Sequence, residues 1–104
     1  MEKLTVLLMC SSGMSSTILK KNMETAAAAM NLDLSVSAKA ESAVNIERDI
    51  KPADIIMLAP QVRYIKADIK AKSGGKPVEI ISMQDYGLGN GKNVLLTCLD
   101  ILNK

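Results

Sequence analysis

The sequence predicts an α/β domain built on a parallel sheet. Three observations predict it. Apolar runs of strand length alternate with stretches of helical period, the central runs are near-continuously apolar as strands covered on both faces require, and Pro and Gly punctuate the joins. Parallel strands joined through helices take right-handed crossovers. With 104 residues, 48% of them apolar and charges of both signs interspersed, the chain can bury one core and is too short for two.

Each element follows in order. Leu4–Met9 is apolar almost throughout, the pattern of a buried strand. Ser15–Met30 sets Ile18, Leu19, Met23, Ala26, Ala27 and Met30 on one helical face, with Lys20, Lys21 and Glu24 elsewhere. The alanine run Ala26–Ala29 inside it is good helix. Leu32–Ala38 alternates Leu32, Leu34, Val36 and Ala38, which suits an edge strand with one wet face. A short helix around Ser42–Ile50 is ended by Pro52. Ala53–Ala59 is the next buried strand, and Pro60 starts a helix because its missing N–H would be unpaired there anyway. That helix turns Val62, Ile65 and Ile69 inward, with Tyr64 a candidate for the same face, and Gly74–Gly75 ends it. Pro77–Ile81 is a fourth strand, "YGLGNG" a loop, and Asn93–Leu102 a closing helix with Val94, Leu95, Cys98, Ile101 and Leu102 apolar.

Composition excludes several functions. A net charge of +2 with no basic block, and only two aromatic residues, Tyr64 and Tyr86, argue against nucleic acid as a partner. No run approaches the roughly 20 apolar residues of a membrane span, so no direct insertion is expected. The N-terminal apolar stretch lacks a small-residue cleavage site and reads as a strand. Cys10 and Cys98, far apart and without secretory context, favour thiols in a reducing, cytoplasmic compartment. Histidine is absent, so any base or phosphoryl acceptor is another residue, and neither a metal site nor a cofactor is expected.

The chemistry points to one stretch, "MCSSGMSSTIL" at Met9–Leu19. In open parallel sheets ligands bind beyond the carboxyl ends of the strands, where Cys10 closes the first. Ser11, Ser12, Gly13, Met14, Ser15 and Ser16 then lead into a helix. Small residues let the backbone curl so that amide N–H groups converge on an anion, and the helix start adds its own unpaired donors. A thiol at such a mouth, at the sheet's rim, is expected to have its anion favoured by those amides. That combination suits phosphocysteine chemistry. A sulfur turned into the interior, with the loop amides already occupied, would count against it. Cys98 lies on the apolar face of the last helix and reads as core.

Two phosphocysteine chemistries separate on one residue. A small tyrosine phosphatase places Arg six positions after its cysteine to grip the transition-state charge; here that position is Ser16. The loop carries no cation, and Lys20 and Lys21 begin a turn later. A neutral cradle holds a phosphoryl group without hastening hydrolysis, as a carrier needs. Asp85 reads as a turn or solvated carboxylate and not as a phosphatase's general acid.

"LLMCSSGMSSTIL", "ADIIMLAPQVRYI" and "GKPVEIISMQDYG" together resemble, over the whole chain, the IIB component of the bacterial phosphoenolpyruvate-dependent sugar phosphotransferase system (PTS). The resemblance is to the lactose/cellobiose (lactose/chitobiose) family, on its cellobiose side. It implies a single type-3 IIB domain over residues 1–104, with four parallel strands in the order 2-1-3-4, helices on both faces, and a flavodoxin-like or small-phosphatase-like fold. It implies a protein-Nπ-phosphohistidine–sugar phosphotransferase. Cys10 accepts phosphoryl from a phosphohistidine on the IIA protein and passes it to a sugar held by membrane-embedded IIC. Ser11, Ser12, Gly13, Met14, Ser15 and Ser16 form the phosphate loop, mostly through backbone N–H groups. Cellobiose, chitobiose and related β-glucosides lead as sugars, with lactose behind. A separate cytoplasmic polypeptide, monomeric, is expected.

Gln61 and Tyr64, in "APQVRY", are candidate contacts to the loop or a partner, or else simply a helix start with a packed tyrosine. Met14 is a candidate apolar contact for IIA or IIC, or tucks under the helix. Tyr86, Gly87 and Gly89 border the site or form a plain turn. Two other classes stay open on the residues alone: a phosphatase or arsenate-reductase-like enzyme using the same cysteine loop, and a flavin or nucleotide module, for which aromatic surfaces are scarce.

Overall fold

The computed structural model describes residues 3–11 and 14–103. Among them, parallel strands β1 (Leu4–Cys10), β2 (Leu34–Ala40), β3 (Ile55–Leu58) and β4 (Val78–Ile80) form one sheet in the order β2-β1-β3-β4. Class and strand order are those expected. Cys10 stands opposite Ala40, and Met9 opposite Leu58, so the end of β1 lies between the chain exits of β2 and β3.

Side chains of the central strands alternate between two cores, as a period of two demands. Leu4, Val6 and Leu8 of β1 and Ile55 and Met57 of β3 pack with helices α1 (Met14–Ala29) and α4 (Gly91–Ile101). Leu7, Met9, Ile56 and Leu58 pack on the other face with Ile50, Val62 and Ile69, the last on α2 (Lys66–Lys72). Helices thus cover both faces.

Helix α1 buries a narrower stripe than its apolar pattern suggests. Leu19, Met23 and Ala27, spaced by four, are inside, whereas Ile18 is 62% exposed and Met30 39%. Residues one step off such a line are rotated by about 100° and leave the contact. On α4, Val94, Leu95 and Cys98 are buried, whereas Ile101 is exposed.

The helix expected over Ser42–Ile50 divides into a tight turn, Glu41–Ala43, and a wide turn, Ile46–Ile50. Asn45 is the reason. It is extended, its side chain accepts from the Arg48 N–H at 2.9 Å, and it caps a new turn. The buried Asp49 carboxylate accepts from the Asn45 N–H at 2.8 Å and from Arg48 Nη2 at 2.9 Å. These bonds, the Arg48 contact foremost, hold the Asp49 carboxyl below its ordinary value. A lowered folded value makes the contribution full above the unfolded carboxylate value of about 4 and lost as pH falls through the folded one. Asp49→Asn is therefore expected to cost about 1 kcal/mol at neutral pH and to flatten the acid limb of stability. Thermal melts of both proteins from pH 7 to pH 2 check this; parallel acid limbs would refute it.

Pro60–Ile65 is a 3-10 segment interrupted at Val62 (φ −114°, ψ 20°), followed by α2. The tighter winding and the break keep Val62 buried and turn Tyr64 outward, 71% exposed, so the inward, packed tyrosine is corrected. "YGLGNG" is also not a plain loop, since α3 (Met83–Leu88) runs through Tyr86 and Gly87. The Ser82 side chain caps it by accepting from the Asp85 N–H at 3.1 Å, and Gly89 ends it at φ 62°. No described helix is long and apolar enough to cross a membrane.

Candidate functional site at the carboxyl edge

Cys10 is the last residue of β1, at the carboxyl edge as expected, and α1 begins four residues later at Met14. Cys10 is only 1% exposed and packs in the cluster of Leu7, Met9, Ala59 and Val62. The thiol donates to the Lys39 carbonyl at 3.7 Å. The sulfur at the end of β1 is therefore covered. Ala59 and Val62, from the segment leaving β3, share its cluster, which a pattern local to β1 does not encode.

The loop is described only in part. Ser11 is exposed; Ser12 and Gly13, and the side chains of Met14 and Ser15, lie outside the described residues, so the expected Ser12 and Gly13 amides and the Met14 contact fall there. Ser16 is described and distinctive. It is 1% exposed in the first turn of α1, and its Oγ has no hydrogen-bond partner. A buried hydroxyl left unmatched costs about 1–3 kcal/mol.

Gln61 is exposed and joins Ile18, Tyr86, Gly87, Leu88 and Gly89 around a cleft of about 330 Å³ on this edge. Tyr86, Gly87 and Gly89 thus border a cleft as helix and cap. Leu88, 73% exposed, and Ile18 are its apolar rim, and neither was legible as such, because both sit in patterns that read as core or turn. Cys10 is not among the described lining residues. Tyr64 stands apart from the cleft and donates its hydroxyl to Glu41 Oε1 at 2.8 Å. Glu41 gave no signal in the sequence, where a lone acid after a strand reads as solvated. The Asp85 carboxylate accepts from Asn93 Nδ2 at 2.7 Å, joining α3 to α4. Cys98 is fully buried on α4, and burial pushes its thiol up to about 12, which keeps it protonated and inert. Among the described residues no cluster of His, Cys, Asp and Glu could hold a metal ion.

Comparison with known proteins places the chain in a family. The family model described as the PTS system, Lactose/Cellobiose specific IIB subunit, matches residues 5–97. The galactose-specific EIIB component of Lactococcus lactis subsp. cremoris (strain MG1363) is 35% identical over 106 residues, covering 94% of this chain and 95% of that protein. The cellobiose-specific EIIB component of Lactococcus lactis subsp. lactis (strain IL1403) is also 35% identical, with the same coverage. The solution structure of the cellobiose-specific phosphotransferase IIB component from Borrelia burgdorferi superposes with a TM-score of 0.73 at 31% identity, covering 98% of this chain and 94% of that one. A family model matched over residues 5–97, and relatives 35% identical over 94% of the chain, make this chain a member of the lactose/cellobiose-specific IIB family of the sugar phosphotransferase system.

Proposed function

We propose that the chain is a cytoplasmic phosphoryl carrier for sugar uptake, with Cys10 as the acceptor. The Cys10 thiolate attacks phosphorus on the phosphohistidine of a docked IIA protein. The S–P bond forms as the P–N bond breaks, and its electron pair stays on the imidazole nitrogen. In the second step a hydroxyl of a sugar held by membrane IIC attacks phosphorus, and the sulfur leaves as thiolate. This chain offers no evident base for that step, so IIC supplies it. Cellobiose, chitobiose and related β-glucosides are the proposed sugars. Names as different as galactose and cellobiose at equal similarity favour IIC as the seat of sugar selectivity.

One observation carries the reading: the orphaned hydroxyl of Ser16, six positions after Cys10 and at the start of α1. In a phosphatase that position grips the phosphate with a cation; here a neutral donor stands without an acceptor. The phosphoryl group would be its acceptor. Ser16→Ala is therefore expected to raise the stability of the unphosphorylated protein by about 1 kcal/mol and to slow phosphoryl acceptance about tenfold. Thermal melting and transfer of labelled phosphoryl from phosphorylated IIA measure the two. A variant that is more stable and transfers at the parent rate would remove Ser16 from the site. Label recovered on any residue but Cys10 would overturn the carrier assignment.

A further inference from the structure

Tyr64 and Glu41 lie on segments leaving different strands, yet their side chains meet. Glu41 directly follows Ala40, the register partner of Cys10, and Tyr64 belongs to Pro60–Ile65, which leaves β3. Because β1 lies between β2 and β3, a bond joining those two exits passes the carboxyl end of β1. The Cys10 sulfur there contacts the β2 side at the Lys39 carbonyl and shares a core with Ile50, Val62 and Ile69, which places it on the tyrosine segment's face of the sheet. Tyr64 has little packing to hold it, being 71% exposed, so its hydroxyl bond to Glu41 sets where the ring lies. That bond also holds the phenol above its ordinary value.

We propose that the Tyr64–Glu41 hydrogen bond is a strap across the end of β1 that keeps Cys10 covered, and that it parts whenever a reagent or partner reaches the sulfur. An exposed bond of this kind is weak, so the strap opens readily and sets a modest, tunable barrier. It also couples to charge. An anion seated at Cys10 stands near the Glu41 carboxylate, and their repulsion favours the open form. The strap's role in gating phosphoryl transfer rests on the carrier reading; the strap itself does not.

The test is the rate at which iodoacetamide alkylates Cys10, read by peptide mass, with the Cys98 peptide reporting fold integrity. The native protein is compared with Tyr64→Phe, Glu41→Ala and the double variant. Tyr64→Phe is expected to speed alkylation about two- to tenfold in the native background. It should have no further effect in the Glu41→Ala background, because the bond is already gone. An unchanged rate in Tyr64→Phe, or an equal gain in both backgrounds, overturns the strap. If Glu41→Ala also exposes Cys98, Glu41→Gln replaces it, with the gain from Tyr64→Phe expected to shrink. Labelled phosphoryl from IIA, measured on the same proteins, separates the two ideas. A coupled alkylation effect without label on Cys10 retains the strap and removes the carrier reading, and label without coupling does the reverse.

Discussion

Cys10→Ser is expected to reduce phosphoryl acceptance from phosphorylated IIA to background while leaving the protein folded. A serine hydroxyl is not ionised at neutral pH and is a far weaker nucleophile than a thiolate, so the first displacement has no attacking group. The substitution is mild for the fold. The smaller hydroxyl can still donate to the Lys39 carbonyl that the thiol now contacts, and it leaves little empty volume at the strand end. Cys98→Ser is the contrasting case. That side chain is enclosed by the core between α1, α4 and the sheet, so the change should cost about 1–3 kcal/mol of stability and leave acceptance intact. Label transfer and thermal melting on the two variants check both halves. Full acceptance by the Cys10 variant would end the phosphocysteine assignment.

Gly91→Ala carries the largest expected effect on stability. A Cβ at Gly91 would run into the Met23 backbone nitrogen and the Asn22 carbonyl carbon, so the first turn of α4 rests directly on α1. Rigid backbone cannot move aside as a side-chain tip can, and the two helices must separate. The same contact carries Met23, Val94 and Leu95 in one core, and Asn22 Nδ2 donates to the Gly89 carbonyl beside it. A loss of about 3 kcal/mol or more is expected, lowering the melting temperature by more than about 10 °C. Gly87→Ala is the control, since a Cβ there meets nothing within 4 Å and α3 gains a better helix former. Equal melting temperatures for the two variants would show that the close approach is not maintained in solution.

The position of the candidate residues was legible where they lie at joins that sequence marks. Cys10 ends an apolar run and Ser16 follows it at a fixed distance, so both could be placed on the carboxyl edge before any coordinates. Gln61 follows the proline that ends β3 and reaches the same edge. Glu41, Ile18 and Leu88 were not legible. A charge after a strand, an isoleucine in a helical stripe and a leucine between glycines each have an ordinary reading, and only their neighbours in space distinguish them. The turn at Asn45 and the helix through Tyr86 were missed for a related reason. Single capping side chains, Asn45 and Ser82, decide them, and the same residue types serve equally well in turns.

By itself the sequence determined the class of fold, the two-sided burial of β1 and β3, and the place of the cysteine at a strand end facing a helix start. Those follow from periodicity and from residues adjacent along the chain. Tertiary structure alone decided that the sulfur is covered, that Tyr64 faces out to bond Glu41, and that Ser16 is buried without a partner. Exposure at a strand end is set by segments leaving the neighbouring strands, and those segments meet only once the sheet has formed.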